Sequence, residues 1–319
     1  MAIQKQSDVH VDAVLTNLVL GYGRADMIGN QIIPQISVDK DTGKYYIWAR
    51  NNVNISGLQT RREDRAFAHE INLDVTLDNY TMEQHALRDF LPDGIRKNAD
   101  SILNIRQAYA QQVIDILDLV KEKAKRDLVF TAANYPSTNK LTLSGNDRWN
   151  QITQTASDPK EDIANAQIAV LKEAGVWPQS LVLGVELYQK LKRHVNVLAS
   201  VQYVQRTGSN YITDSELMDY LGINKLYVGK AVYNSAVEGV TASNNFVWNL
   251  HALLFYEPPS GGGINVPAFG YEFVPSHTPR TVVRYTENGR LGEWVEVNEK
   301  RFLKLTFPKA GYLFENADN

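Results

Sequence analysis

The side chains with the widest chemical repertoire are thinly spread along this chain. Six histidines stand at positions 10, 69, 85, 194, 251 and 277. A two-histidine metal site on a helix needs the rings one turn apart so that both meet one ion. His69-Glu70 opens such a pattern, but the position that should close it holds Leu73. Cysteine is absent, which removes thiolate metal sites, disulfide frameworks and a Cys nucleophile. A dinucleotide turn built on Gly21 and Gly23 requires a further glycine where Asp26 stands, and no strong strand precedes it. Gly229-Lys230 is followed by Ala231 and has Asn224 where a phosphate loop begins, while the run Gly261, Gly262, Gly263 lacks the lysine. There is no Gly-x-Ser-x-Gly elbow, and Asp115 and Asp118 read more simply as the solvated face of a helix than as an acid/base pair. Local motifs therefore name no catalytic residue, no cofactor and no metal, and leave open only a site assembled from distant residues.

The remaining signals concern surfaces. Arg61, Arg62, Glu63, Asp64 and Arg65 form a mixed-charge cluster between two strand-like stretches. Exposed ion pairs of this kind contribute roughly 0 to 1 kcal/mol each, so they set register with a partner more than affinity; a solvated loop is the plainer alternative. Pro258, Pro259, Gly261, Gly262 and Gly263 predict a loop.

These groups must be carried by a scaffold, and its longest part is legible. From Asp100 to about Phe130, Ile102, Ile105, Tyr109, Val113, Ile116, Val120, Ala124 and Leu128 recur at spacings of three and four with no Gly or Pro. This predicts one long helix with a single apolar stripe, capped by Asp100 and closed by Lys121, Lys123, Lys125 and Arg126 at the negative end of its dipole. Upstream, Val11–Leu20 and Ile28–Val38, broken by Pro34, read as a short helix and an extended arm. Between Lys44 and Tyr80 the period is two, strictest at Ile71, Leu73, Val75 and Leu77. Paired with Tyr45–Ile55 it makes a hairpin that is marginal in water unless its apolar face is covered. A hairpin folded back on its own domain is the alternative that pattern alone leaves open.

Downstream, Asp158, Pro159 and Glu161 start a helix that ends at Gly175, Leu181–Leu183 is a short buried strand, and helices over Val185–His194 and Asp214–Leu221 precede a strand over Lys225–Val232. The end is mainly strand: Phe246–Tyr256, Gly270–Pro275, Thr281–Thr286, Leu291–Val297 and Phe302–Phe307, with Asn288-Gly289 as a tight turn.

With 319 residues, 44% apolar content and a formal charge of -3, the chain can bury a large core in two or three lobes and has no bulk electrostatic claim on nucleic acid or membrane. The polar first ten residues lack the apolar core of a signal peptide, and no run reaches the roughly 18 apolar residues of a span. The reading is a soluble protein made in a cytoplasm.

The order of parts, an arm, a long hairpin, a long helix, an α/β lobe and a strand-rich return, resembles the major capsid proteins of tailed bacteriophages, a shell fold shared with encapsulins and herpesvirus capsid floor domains. Stretches that carry the likeness are Val11-Asp12-Ala13-Val14-Leu15-Thr16-Asn17-Leu18, Gly43-Lys44-Tyr45-Tyr46, Asp162-Ile163, Val228-Gly229-Lys230-Ala231-Val232-Tyr233-Asn234 and Ala310-Gly311-Tyr312-Leu313. The resemblance implies an α+β fold with an N-terminal arm (1–43), an extended β-hairpin loop (44–80), a peripheral domain (81–154 and 273–308) with a spine helix over 100–130, and an α/β axial domain (155–272 and 309–319). It implies a non-enzymatic shell protein that assembles with copies of itself, as pentamers and hexamers, into an icosahedral head. That head encloses double-stranded DNA without specific recognition. The implied location is the virion, after assembly in the host cytoplasm, with scaffold, portal and decoration proteins as further partners and no membrane. Arg61–Arg65 would then be a subunit interface at the loop tip, and Pro258–Gly263 an axial-domain loop. Some members weld subunits through a loop lysine; none lies between Lys44 and Lys97, so that cross-link is not expected. An encapsulin-type cargo shell and, from a different class, a soluble α+β hydrolase are the competing readings.

Overall fold

In the computed structural model the described residues are 10–11, 26–47, 60–61, 64, 67, 76–98, 102–205, 212–237, 239–258, 268–287 and 289–318. Residues 12–20 of the expected arm, Ile71, Leu73 and Val75 of the expected strand, Asp100 and Asn288 lie outside them.

The chain enters through β1 (His10–Val11), a single helical turn α1 (Gly29–Ile32) and β2 (Gln35–Val38), then forms the ribbon strands β3 (Thr42–Ile47) and β4 (Thr76–Thr81). β5 (Glu83–Pro92) and α2 (Asp93–Asn98) lead into α3 (Ile102–Phe130), whose 29 residues make a rod of about 44 Å. Next come β6 (Lys140–Thr142), α4 (Pro159–Ala174), β7 (Ser180–Gly184), α5 (Val185–Leu191), α6 (Val195–Gln205), α7 (Asp214–Leu221) and β8 (Lys225–Gly229). The return is strand: β9 (Val232–Asn234), β10 (Asn244–Phe246), β11 (Ala252–Phe255), β12 (Tyr271–Pro275), β13 (Arg280–Tyr285), β14 (Gly292–Lys304) and β15 (Gly311–Glu315).

Local chemistry sets the helix ends in the second half. The Asp158 carboxylate accepts from the Lys160 and Glu161 amides with Pro159 in the first turn, and α4 stops at Gly175, whose φ of 67° a side chain would strain. Thr213 and Glu216 form a reciprocal capping box on α7, and Gly222 ends it in the left-handed conformation.

Two main sheets organise the molecule. In the first, ordered β1-β13-β14-β12-β2, the long β14 also pairs along ten residues with β5. The second runs β6-β15-β11-β7-β8. Alternation splits the second sheet cleanly. Leu181, Leu183, Leu254 and Phe314 face a core shared with α4, α5, α6 and α7, while Val182, Leu253 and Leu313 face Val129, Phe130 and Trp248. β6 joins this sheet although it lies within 81–154, and β12 of the first sheet spans the 272/273 boundary. α3 spans both bodies: Ala110, Val113 and Ile114 pack on Val282, Val295 and Val297, and its far end enters the second core. Among the described residues no helix is long and apolar enough to cross a membrane.

Several expectations need correction. Leu291–Val297 and Phe302–Phe307 are not separate strands: β14 runs through, because polar Asn298, Glu299, Lys300 and Arg301 stay paired with Ala86, His85, Gln84 and Glu83 of β5. Phe246–Tyr256 is broken into β10 and β11, with Leu250 at a φ of 66° between them. Lys225–Val232 likewise divides into β8 and β9, and α6 and β5 went unpredicted. On α3 the expected apolar stripe is buried only in part: Val113 lies in the core with Tyr109 packed against it, and Leu128 packs on the second core. Ile116 and Val120 are 46% and 55% exposed, while Asp118, Lys121, Glu122 and Lys125 are buried. Asp118 is thus not on a wet face, and Lys121 and Lys125 make ion pairs inside the molecule instead of closing the helix dipole.

Candidate functional site

A buried seam of charge lies along one face of α3. Positions 118, 121, 122 and 125 recur at helical spacing, and strands of the first sheet supply the partners of Asp118 and Lys125. Lys125, fully buried, places Nζ 2.6 Å from Glu272 Oε2 and also donates to Asn30 Oδ1 at 2.5 Å and the Ile33 carbonyl at 3.1 Å. Gln35 donates to the same Glu272 oxygen. Arg280 bridges Asp118 and Glu299, Lys121 lies 3.3 Å from Asp118, and Arg301 donates to Glu299. Four acids (Asp118, Glu122, Glu272, Glu299) thus balance four bases (Lys121, Lys125, Arg280, Arg301). Burial opposes ionisation of Asp118 and Glu272, yet their cationic neighbours more than offset it and hold both carboxyls below their usual range. Burial pulls Lys125 down from the usual lysine value, with Glu272 opposing. Buried pairs add little net stability but are costly to break.

Glu122 extends the seam to the arm and the second lobe. Its carboxylate accepts the Ile28 amide at 2.8 Å, the Gly29 amide at 2.9 Å and Trp248 Nε1 at 2.7 Å. A Cβ on Gly29 would stand 2.5 Å from Glu122 Oε2, so a side chain there would push the Glu122 carboxylate out of this position.

The ribbon root is the second feature. β3 and β4 pair with each other and with no other strand among the described residues, from Thr42 opposite Thr81 to Ile47 opposite Thr76. Gly43, Tyr45, Tyr80 and Asp78 share the inward face. Tyr80 stacks on Phe273 at 4.9 Å with the rings 3° from parallel, and Tyr45 lies 5.5 Å from the same ring. Asp78 accepts from the Tyr45 hydroxyl at 2.8 Å and pairs with Lys304 at 3.1 Å, and Lys300 reaches Asp41 at 2.6 Å. The Tyr45 hydrogen bond, the Asn79 amide and Lys304 hold the Asp78 carboxyl below its usual range; burial and Asp78 raise the Tyr45 phenol, which stays a donor. On the outward face Lys44, Leu77 and Asn79 are exposed.

Of the predicted interface residues, Arg61 and Asp64 are exposed, whereas Arg62, Glu63 and Arg65 lie outside the described residues. Pro258 helps line a cleft of about 290 Å³ with Ile32, Pro34, Gln35, Phe255 and Glu257; Pro259, Gly261, Gly262 and Gly263 lie outside. The carboxylate in that cleft is engaged by Lys225, Tyr227 and Ser180, which hold it below its usual range against burial. It is an ion-pair acceptor and not a poised acid. No cluster of metal-ligating side chains occurs among the described residues. The seam and the root were missed in the sequence, although the charges at 118, 121, 122 and 125 carry the helical spacing that could have found the first.

No family model matches the chain. It is 27% identical over 313 residues to the major capsid protein of Burkholderia phage BcepMu, covering 95% of each chain. It is 26% identical to that of Pseudomonas phage JBD67, covering 96% of this chain and 97% of the relative. The crystal structure of a phage-related protein from Bordetella bronchiseptica RB50 superposes with a TM-score of 0.74 at 24% identity, over 96% of this chain and 97% of the other. The chain has the phage capsid fold, and along nearly its whole length it is similar to phage major capsid proteins.

Proposed function

We propose that this chain is the major capsid protein of a phage, a shell subunit whose work is enclosure and not turnover. The observation that carries the reading is full-length similarity to two curated phage capsid proteins, joined to a fold of the same kind. The ribbon supports it physically. Continued in the register of its root, the two strands would meet between Arg61 and Arg62, at the end farthest from the body. A lone pair of strands is marginal in water, and Phe67 and Leu77 are exposed on it. We infer that a neighbouring copy covers the ribbon and that Arg61, Arg62, Glu63, Asp64 and Arg65 choose its register there.

On this reading the chain retains the division into arm, extended loop, peripheral domain and axial domain, with pentamers and hexamers closing an icosahedral shell. The loop Pro258–Gly263 belongs to the axial domain. Packaged double-stranded DNA is enclosed without recognition, consistent with a formal charge of -3, which offers a phosphate backbone little. The site of action is the virion, assembly occurs in the host cytoplasm, and scaffold, portal and decoration proteins are the further partners. An encapsulin-type shell would use the same fold, and the relatives' names favour the phage head.

Negative-stain microscopy of the expressed protein, with the nucleic-acid content of purified particles, tests this. Particles, tubes or isolated rings are expected; a monodisperse small species would contradict the reading, and particles filled with an enzyme would favour the cargo shell.

A further inference from the structure

Among the described residues the root of the ribbon holds one tight cross-strand contact, Gly43 against Tyr80, whose loosening would tilt the ribbon. A Cβ on Gly43 would stand 2.5 Å from the Tyr80 hydroxyl and 2.7 Å from its ring. Retreat of Tyr80 is opposed by its stack on Phe273, which is itself fully buried beside Tyr45, Tyr271 and Phe302. Asp78 of β4 pairs with Lys304, and Asp41, next to the start of β3, pairs with Lys300, both lysines being on β14. The leverage is large. Fourteen residues, the separation of Ile47 and Arg61, can span at most about 46 Å, and over that reach a tilt of about 10° at the root corresponds to about 8 Å at the far end, more than two residues of strand.

We propose that Gly43, Tyr80 and Phe273 form a clamp that sets the exit angle of the ribbon and, through it, the curvature of the assembled shell. The second half of this statement rests on the assembly reading above; the first does not. Gly43, Tyr80 and Phe273 are positioning residues: they act on the neighbouring copy through the ribbon they aim.

The absence of cysteine makes the angle measurable. Spin labels on Asp64→Cys, at the ribbon, and Gln112→Cys, on the exposed face of α3, report the distance in dissociated subunits by pulsed electron resonance. Gly43→Ala is expected to shift the mean distance by on the order of 5–10 Å while circular dichroism stays native, and to add no further shift in a Tyr80→Ala background, where the ring it strikes is gone. The same variant, assembled, is expected to give shells of altered diameter or open sheets. An unchanged distance overturns the clamp, and a shift that persists in the Tyr80→Ala background overturns its assignment to this contact. A shifted distance with shells of wild-type diameter overturns the link to curvature. Should Gly43→Ala not fold, Phe273→Leu, which keeps the burial and removes the stack, carries the same measurement: a shifted distance supports the clamp and an unchanged one overturns it. Wild-type protein that builds no shell removes the enclosure reading and the curvature claim together, while the label distance still decides the clamp.

Discussion

At the scale of the residue, the buried seam is where single changes should be felt most. Lys125→Met leaves Glu272 buried without its ammonium, and loss of about 3–5 kcal/mol is expected in urea denaturation of the dissociated subunit. The double variant Lys125→Met/Glu272→Met removes both charges and should recover most of that loss, an outcome an additive pair of side chains would not give. The same seam sets the response to acid. Asp118 and Glu272 have folded-state pKa values below their unfolded ones, so the unfolded chain takes up protons first. Their contribution is complete above the ordinary carboxylate range, about pH 4–5, and is lost as pH falls toward their lowered values. Burial likewise keeps His194 neutral, with Nδ1 accepting the Asn196 amide. Because its folded pKa lies below 6.5, stability should begin to fall once pH drops under that value, before the carboxylates titrate. Denaturation midpoints against pH should show two stages, and His194→Gln should reduce the first, to which His85 and His251, lowered likewise by burial, also contribute, while leaving the second unchanged.

Elements differ in how openly the sequence declares them. The helices of the second lobe carry their own punctuation: Asp158-Pro159 before α4, Thr213 with Glu216 before α7, and glycine after each. Removing one such mark, as in Thr213→Ala, is expected to cost about 1 kcal/mol of subunit stability. The long helix was legible in extent but not in orientation. Its apolar residues suggest a stripe that includes Val113, Ile116 and Val120; Val113 is buried, but Ile116 and Val120 face outward because four charged residues on the opposite flank are paired inside. Ile114→Ala should therefore cost about 2–5 kcal/mol and Ile116→Ala no more than about 0.5 kcal/mol in the same denaturation assay; the reverse order would place the stripe where its spacing first suggests. β14 was divided for a related reason. Glu299 and Arg301 look like a break in an apolar strand until their partners from β13 and the seam are brought alongside. Burial of charge in pairs is a tertiary event, and a single stretch of sequence does not announce it.

For the whole molecule, the order of parts was more informative than any motif, since none of the local patterns that mark metal, nucleotide or nucleophile sites was complete. The ribbon's alternation and its charged tip were visible in the sequence; the clamp at its root was not, because Gly43, Tyr80 and Phe273 meet only through folding. If the tip selects register on a neighbouring copy, Arg62→Glu with Arg65→Glu should slow assembly several-fold at low salt, measured by light scattering, and the difference from wild type should shrink as salt screens the tip. Cryo-electron microscopy of the assembled protein tests enclosure most directly. Closed shells with five-fold and six-fold rings, and residues 48–75 of each subunit lying over an adjacent one, are the predicted result. A protein that stays monomeric at every concentration and salt tried, with the ribbon packed on its own body, would contradict it.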